Sequence, residues 1–426
     1  MKKMVIRGGR QLSGEVTIGG AKNSTVALIP AAILADTPVR LDSVPDILDV
    51  HNLMIILESM NVHSTFKDGV MEIDPTNIIE SALPSRAIKS LRASYYFMGA
   101  LLGRFKRATV SFPGGDNIGS RPIDQHIKGF KALGATVNEK NDSVYITTDT
   151  HELHGAHIFL DVVSVGATIN VTLAAVKAHG QTTIENAARE PEIIDLVSFL
   201  NSLGAKIRGA GTDVIRIEGV DSLRSNATHT IIPDRIEAGT YLSLAASVGD
   251  GIQINNIIPE HLESFNSKLL ELGVDLQVGD DSIYVPKTKN LHPIEIKTNP
   301  FPGFATDLQQ PITPALMKAD GSSVIIDSIY PKRIKHISQL QKMGANVRVE
   351  NDIIIVDHTD ELHGATVEAG EIRAGAALMI AGLMANGTTI IQKAENILRG
   401  YDRIVYKLKQ LGADIKIVSD ETEKVK

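Results

Sequence analysis

Residues able to do chemistry gather in one run, Phe112-Pro-Gly-Gly-Asp116-Asn-Ile-Gly-Ser-Arg121-Pro-Ile-Asp124-Gln-His126. Gly114 and Gly115 let the backbone turn tightly and approach a ligand, and Gly119 repeats that permission. Arg121 can grip a phosphate or carboxylate with two parallel hydrogen bonds. Pro122 suits the first turn of a helix, which would set Arg121 near a helix start, where anions are favoured. Asp116 in such a loop could donate or accept a proton. A solvated surface loop carrying the same Asp and Arg fits the composition equally well.

Three further runs share this character. Gly19-Gly20-Ala21-Lys22-Asn23-Ser24 resembles a phosphate loop but lacks the full Walker spacing, and it reads also as a helix-start turn. Ile232-Pro233-Asp234-Arg235-Ile236-Glu237 starts a helix near mid-chain, with Asp234 as its ordinary cap. Asp307 follows the Pro/Gly turn Phe301-Pro-Gly-Phe, again with capping as the plain alternative. Arg333, Arg373 and Arg399 each fall in or near a turn. Singly each reads as a surface arginine, and only convergence with Lys22, Arg92 and Arg121 would make them an anion site.

The elements that must position these residues come from a repeat. Leu/Met-Gly-Ala or a close variant recurs at Leu133, Leu203, Leu272, Met343 and Leu411, with Met60-Asn61-Val62 as a degenerate copy, at spacings of 68–73 residues. A Gly turn followed by a β-branched strand stands in register before most copies, as at Gly180, Gly251, Gly321 and Gly387. Arg107–Ser111 and Thr37–Leu41 are looser versions. The Gly ends a helix in the left-handed conformation, Thr, Val and Ile form a strand, and a helix such as Ile193–Leu203 follows at helical spacing. A further strand then returns, such as Val214–Ile217. Each α/β unit is unable to bury its helices alone. Six units predict an α/β protein of two lobes, each of three repeated units with helices inside and sheets outside. A long solenoid is the alternative, but these units exceed most solenoid repeats in length.

Bulk composition narrows the chemistry. At 426 residues the chain is long for one core. Net charge is −7, so an anionic ligand needs a local cationic cluster, and nucleic acid is not an expected partner. There are no cysteines, which excludes disulfides and thiolate nucleophiles. The histidines lack ligand spacing, so no metal site is expected, and no cofactor is implied. Aromatics make up 4% and Trp is absent, which argues against a stacking platform. No stretch reaches the ~20 apolar residues needed to span a bilayer. The apolar run Ala374–Met384 reads as a packed helix, and the first residues do not read as a signal peptide. A soluble cytoplasmic protein is the expectation, with no membrane partner.

Read in order, Gly20-Ala-Lys22-Asn23, Leu91-Arg92-Ala93-Ser94, the Gly114–Asp124 run, Ser164-Val165-Gly166-Ala167-Thr168, Glu185–Glu192, Pro233–Glu237, Thr306-Asp307 and Arg399-Gly400-Tyr401 resemble the enolpyruvyl transferase family. Within it they resemble the UDP-N-acetylglucosamine 1-carboxyvinyltransferases. The likeness runs end to end. It implies two lobes of three units, the first discontinuous (about 1–21 plus 234–426) and the second about 22–233. It implies that phosphoenolpyruvate reacts with the 3-hydroxyl of UDP-N-acetylglucosamine by addition and elimination, with release of phosphate. On that resemblance Asp116 takes the acid position and Asp307 the base position. Lys22, Arg121 and Arg399 would hold the phosphate, and Arg333 and Arg373 the carboxylate. Asn23, Arg92, Arg121, Pro122, Ile123, Asp124, Gln125, Val162, Val163, Ser164, Val165 and Ile329 would line the remaining substrate surface. The chain departs from the family's common pattern in Asp116, where Cys is frequent, in Glu371, where Asp is common, and in Leu398, where Asp is common. The 3-phosphoshikimate 1-carboxyvinyltransferases share the fold and donor, and a non-catalytic nucleotide-sugar sensor is an alternative of another class. The sequence leaves the oligomeric state open.

Overall fold

The structure, a computed structural model, describes residues 2–81, 83, 92–112, 122–226 and 228–419. Among them the chain forms two compact units. One contains the described residues up to Gly19 and those from Pro233 onward; the other contains the described residues between Gly20 and Ile232. Each has its own hydrophobic core.

Residues 157–218 show how one repeat is built. Strand His157–Phe159 leads through a helix to Gln181–Glu185, which pairs with it in parallel. A second helix, Pro191–Ser202, leads to Lys206–Arg208 and Val214–Glu218, a hairpin whose second strand pairs antiparallel with Gln181–Glu185. Thr182 and Ile184 alternate inward from that central strand. Residues 295–356 repeat the pattern, with Glu295–Lys297 parallel to Ser323–Ile326 and a hairpin returning antiparallel.

The two helices of a repeat differ in what they bury. The first helices are labelled α1 (Lys22–Ala32), α2 (Tyr96–Phe105), α3 (Val165–Ala175), α4 (Arg235–Val248), α5 (Thr306–Leu316) and α6 (Ile372–Met384). They are buried almost all round; in α4 every residue from Ile236 onward is buried. They pack on one another within each unit, α1 on α2 on α3 and α4 on α5 on α6. The contact of α2 with α3 needs Gly99, because a Cβ there would lie 2.2 Å from the carbonyl oxygen of Asn170. The second helices are one-sided, as in Lys335–Lys342, which buries His336, Ile337 and Leu340.

Leu-Gly-Ala turns close these helices as the repeat implies. Gly134, Gly204, Gly273, Gly344 and Gly412 all take φ between 89° and 102°, and Asn61 takes the same place in the degenerate copy at φ 59°. Gly321 departs from this expectation, because it is not among the residues of positive φ. A Cβ on it would instead meet the ring of Pro293 at 3.0 Å, so close approach explains it.

Chain order is rearranged twice. Strand Lys2–Arg7 lies between Thr388–Gln392 and Asp414–Ser419, antiparallel to both, where the last hairpin strand of a repeat would be. Strand Leu12–Thr17 precedes α1 in sequence but pairs in parallel with Gly249–Asn255, which follows α4. Strand Thr228–Thr230 precedes α4 but pairs with Val39–Asp42, which follows α1. The two units have thus exchanged the strand-to-helix connections at their chain crossings. Gly20 sits at one crossing, and a Cβ on it would lie 1.7 Å from the oxygen of Ser43.

Candidate active site

Several residues singled out in the sequence lie at the starts of the buried helices. Lys22 opens α1, Arg92 opens a short 3-10 turn leading into α2, Ser164 and Val165 start α3, Asp307 is second in α5, and Arg373 is second in α6. A helix start carries unpaired N–H groups and a partial positive charge, so it suits an anionic ligand. The remaining buried helix, α4, starts at Arg235 and is capped by Asp234, which accepts from the N–H groups of Ile236 and Glu237 at 2.8 and 3.0 Å.

In the unit formed by Gly20–Ile232, Lys22 Nζ lies 3.3 Å from Oδ2 of the fully buried Asp49. Asn23 is half-buried beside it. Pro122 and Ile123 precede the helix Asp124–Ala132, so Pro122 lies outside the helix rather than in its first turn. Gln125 is buried and clamps the segment before Val162. Its amide donates to Asp124 and Asp161 at 2.8 and 3.2 Å, and its oxygen accepts from the Asp161 N–H at 2.8 Å. Val162 and Val163 are left exposed as apolar surface. Ser164 Oγ accepts from Ala167 N at 3.2 Å and caps α3. Asp116 and Arg121 lie outside the described residues.

In the other unit, Asp307, Arg333 and Arg373 come together. Arg333 Nη1 donates to Asp307 Oδ1 at 2.6 Å and to Thr306 Oγ1 at 3.3 Å. Its Nε and Nη2 grip Glu371 at 3.1 and 3.0 Å. Arg373 Nη2 reaches Asp307 Oδ2 at 3.4 Å. Asp307 therefore serves the two guanidiniums, and Ala305, not Asp307, is the α5 N-cap. Both guanidiniums are buried, contrary to the expectation of surface arginines. Their reach is long range and invisible to turn patterns. Arg373 lies 5.1 Å from the ring centre of Tyr401, a cation–π contact. Among the described residues, its buried Nη1 has no hydrogen-bond partner. Arg399 ends the short helix Glu395–Leu398, two residues before Tyr401.

Asp327 was not singled out in the sequence, yet it organises this cluster. Its Oδ1 accepts from Thr298 Oγ1 and from the N–H groups of Ile329 and Tyr330, at 2.7, 3.0 and 2.9 Å. Its Oδ2 accepts from Thr306 Oγ1 at 2.7 Å. One carboxylate thereby fixes the turn carrying Ile329 and the start of α5. An Asp ending a β-branched strand before Ser-Ile-Tyr-Pro was the available signal, since Asp side chains bond the backbone two or three residues on. Gln309 adds a bond from its amide to the Arg333 carbonyl at 2.9 Å. Behind them His336 is fully buried, and desolvation aided by Arg333 pushes its imidazole down to about 3. Among the described residues no group of three His, Asp or Glu could hold a metal ion.

Comparison with known proteins agrees with this architecture. The EPSP synthase (3-phosphoshikimate 1-carboxyvinyltransferase) family profile matches residues 6–423. A UDP-N-acetylglucosamine 1-carboxyvinyltransferase 2 of Lactiplantibacillus plantarum is 74% identical, covering 99% of both chains. A UDP-N-acetylglucosamine 1-carboxyvinyltransferase of Streptococcus pneumoniae is 56% identical over 99% of this chain and 100% of its own. Among solved structures, the enolpyruvyl transferase NikO from Streptomyces tendae superposes with a TM-score of 0.89 at 27% identity, covering 98% of this chain and 99% of that one. The chain belongs to the enolpyruvyl transferase family, and within it to the UDP-N-acetylglucosamine 1-carboxyvinyltransferases.

Proposed function

We propose that this chain transfers the enolpyruvyl group of phosphoenolpyruvate to the 3-hydroxyl of UDP-N-acetylglucosamine, releasing phosphate, as the first committed step of peptidoglycan synthesis. The full-length relatives that carry this name support the acceptor over shikimate 3-phosphate. The observation that carries the donor is Arg373. A buried guanidinium whose Nη1 lacks a protein partner among the described residues is ready for a carboxylate or phosphate oxygen. Both substrates are cytoplasmic metabolites, and no described helix is long and apolar enough to cross a membrane, which fits a cytoplasmic site of action.

The reaction needs a proton at the methylene carbon of phosphoenolpyruvate and a base at the sugar hydroxyl. Asp116 is the acid in this reading and Asp307 the base. Lys22, Arg121 and Arg399 take the phosphate, and Arg333 and Arg373 the carboxylate. Asn23, Arg92, the segments 121–125 and 162–165, and Ile329 line the sugar nucleotide. Four of the five N–H donors of Arg333 already bind Glu371, Thr306 and Asp307. A substrate carboxylate would thus compete with Asp307 for Arg333, which couples donor binding to release of the base. Because the chain has no cysteine, the epoxide fosfomycin finds no thiol to alkylate, and the enzyme is insensitive to it.

Phosphate release from phosphoenolpyruvate is the test, measured with UDP-N-acetylglucosamine, with shikimate 3-phosphate and with neither. Release with the sugar nucleotide alone is expected. Release with shikimate 3-phosphate would move the acceptor. No release with either would leave the sensor reading in its place.

A further inference from the structure

Behind the arginine cluster lies a second group of buried charges. Lys407, on the helix Ile404–Gln410, is only 4% exposed, and Glu237 and Asp402 are 2% and 8% exposed. Lys407 Nζ lies 2.6 Å from Glu237 Oε1 and 3.2 Å from Asp402 Oδ2. The other oxygen of Glu237 accepts from the N–H of Gly19 at 2.9 Å. Gly19 packs on Asp402 so closely that a Cβ would stand 3.2 Å from its Oδ2. Glu237 and Thr240 are three residues apart on α4, so they share one face of the helix. Thr240 Oγ1 and the Tyr401 hydroxyl are 2.9 Å apart. The segment from Arg399 to Arg403 is therefore pinned to α4 at two points. One is neutral, through Tyr401, and one is ionic, through Asp402, Lys407 and Glu237.

We infer that Lys407 and Asp402 are positioning residues for the Arg399–Tyr401 segment, and that their ion pair sets how well the site holds phosphoenolpyruvate. Lys407 is the shared counter-ion of two buried carboxylates. Removing it leaves two like charges in a dry site, with the exposed Arg403, 3.5 Å from Asp402 Oδ2, as a partial counter-ion to one of them, and such unpaired burial is costly. Burial already pushes Glu237 up to about 7 against the pull of Lys407. The segment's two ends matter to the site for different reasons. Tyr401 supports the guanidinium of Arg373 with its ring, and Arg399 takes the phosphate in the reading given above, on which this inference rests.

The decisive variant is Asp402→Asn. It keeps the side-chain shape and the Lys407–Glu237 pair and removes the charge of the ionic pin, together with the 3.5 Å ion pair of Asp402 with the exposed Arg403. Three quantities are read beside the unaltered chain: the KM for each substrate, kcat, and backbone hydrogen exchange of residues 399–403. The expected result is about a tenfold rise in KM for phosphoenolpyruvate, an unchanged KM for UDP-N-acetylglucosamine, and faster exchange in 399–403. Lys407→Met should give the same split more strongly and Lys407→Arg should recover most of it. If Lys407→Met does not fold, Asp402→Asn alone decides. Faster exchange with both KM values unchanged overturns the positioning role, and so does an equal rise in both. An inactive unaltered chain would fail the proposed function instead, while the exchange of 399–403 would still report whether Asp402 pins the segment.

Discussion

Arg333 holds Asp307 at 2.6 Å with one arm of its guanidinium while its other edge is fixed on Glu371. The two carboxylates differ in access: Glu371 is 1% exposed and Asp307 is 26% exposed. The buried partner fixes the arginine, and the accessible partner is the one a ligand can replace. Glu371→Ala would leave a buried guanidinium without its main counter-ion. We expect a loss of about 3–5 kcal/mol in urea unfolding and a higher KM for phosphoenolpyruvate. A stability change under ~0.5 kcal/mol would show that Glu371 is not what holds Arg333.

Asp307→Asn removes the base but keeps the shape of the arginine cluster's partner. A fall in kcat of about 10²–10⁴ is expected, with the fold intact by circular dichroism. Turnover within a factor of ~3 of the parent would remove the base role from this residue.

Asp116→Asn should lower kcat to a similar degree, about 10²–10⁴, because an amide donates no proton to carbon. Asp116→Cys should restore a thiol and with it alkylation by fosfomycin, read as a covalent mass increase. The parent should show no adduct. An adduct on the parent chain, at Asp116 or elsewhere, would contradict the expected insensitivity.

His336 sets a pH dependence. Gln310 and Thr313 bond its two ring nitrogens at 3.2 and 3.4 Å. Its folded pKa of about 3 lies below the unfolded value of 6.5, so the unfolded chain binds a proton that the native state refuses. Its stabilising contribution is complete above 6.5 and is lost as pH falls toward 3, by about 1.4 kcal/mol per pH unit. His336→Gln should flatten the fall of the urea midpoint between about pH 6.5 and 5 relative to the parent. Parallel curves for parent and variant would mean that His336 takes its proton in the native state.

Gly20→Ala tests the crossing between the units. The added Cβ would meet the Ser43 oxygen at 1.7 Å, so the backbone must shift. The same segment carries the bond from Ala21 N to the Ile232 oxygen at 2.7 Å, which ties the outgoing chain to the returning one. A lower Tm, equivalent to about 1–3 kcal/mol, is expected. An unchanged Tm would show that the contact relaxes without cost.

The repeat was legible because its signals are local. Leu-Gly-Ala turns need a left-handed residue whatever surrounds them, and Asn61 marks the degenerate copy by the same chemistry. Strand Arg107–Ser111 falls on the residues its β-branched pattern marks, and Gln181–Glu185 lies one residue from its mark. The burial of Arg333 and Arg373 was not legible, because it depends on Glu371, Asp307 and Tyr401, up to 66 residues away in sequence. Lys407 carries no local signal that sets it apart from the other basic residues of its helix. Only its pairing with Glu237, 170 residues earlier, reveals it as buried. The place of strand Lys2–Arg7 in the last sheet follows from no local pattern, and the family resemblance implies only that residues 1–21 group with 234–426.

That strand has a consequence for synthesis. The described residues between Gly20 and Ile232 hold all the strands of their unit once Ile232 has left the ribosome. The other unit has strand Lys2–Arg7 waiting between two partners, Thr388–Gln392 and Asp414–Ser419, that are made last. This strand is thus made well before its neighbours, and its row of unpaired backbone groups stays open until Thr388–Gln392 has been made. The inserted unit can be a finished, folded body during that wait, so translation order favours completing it before the unit that contains Lys2–Arg7.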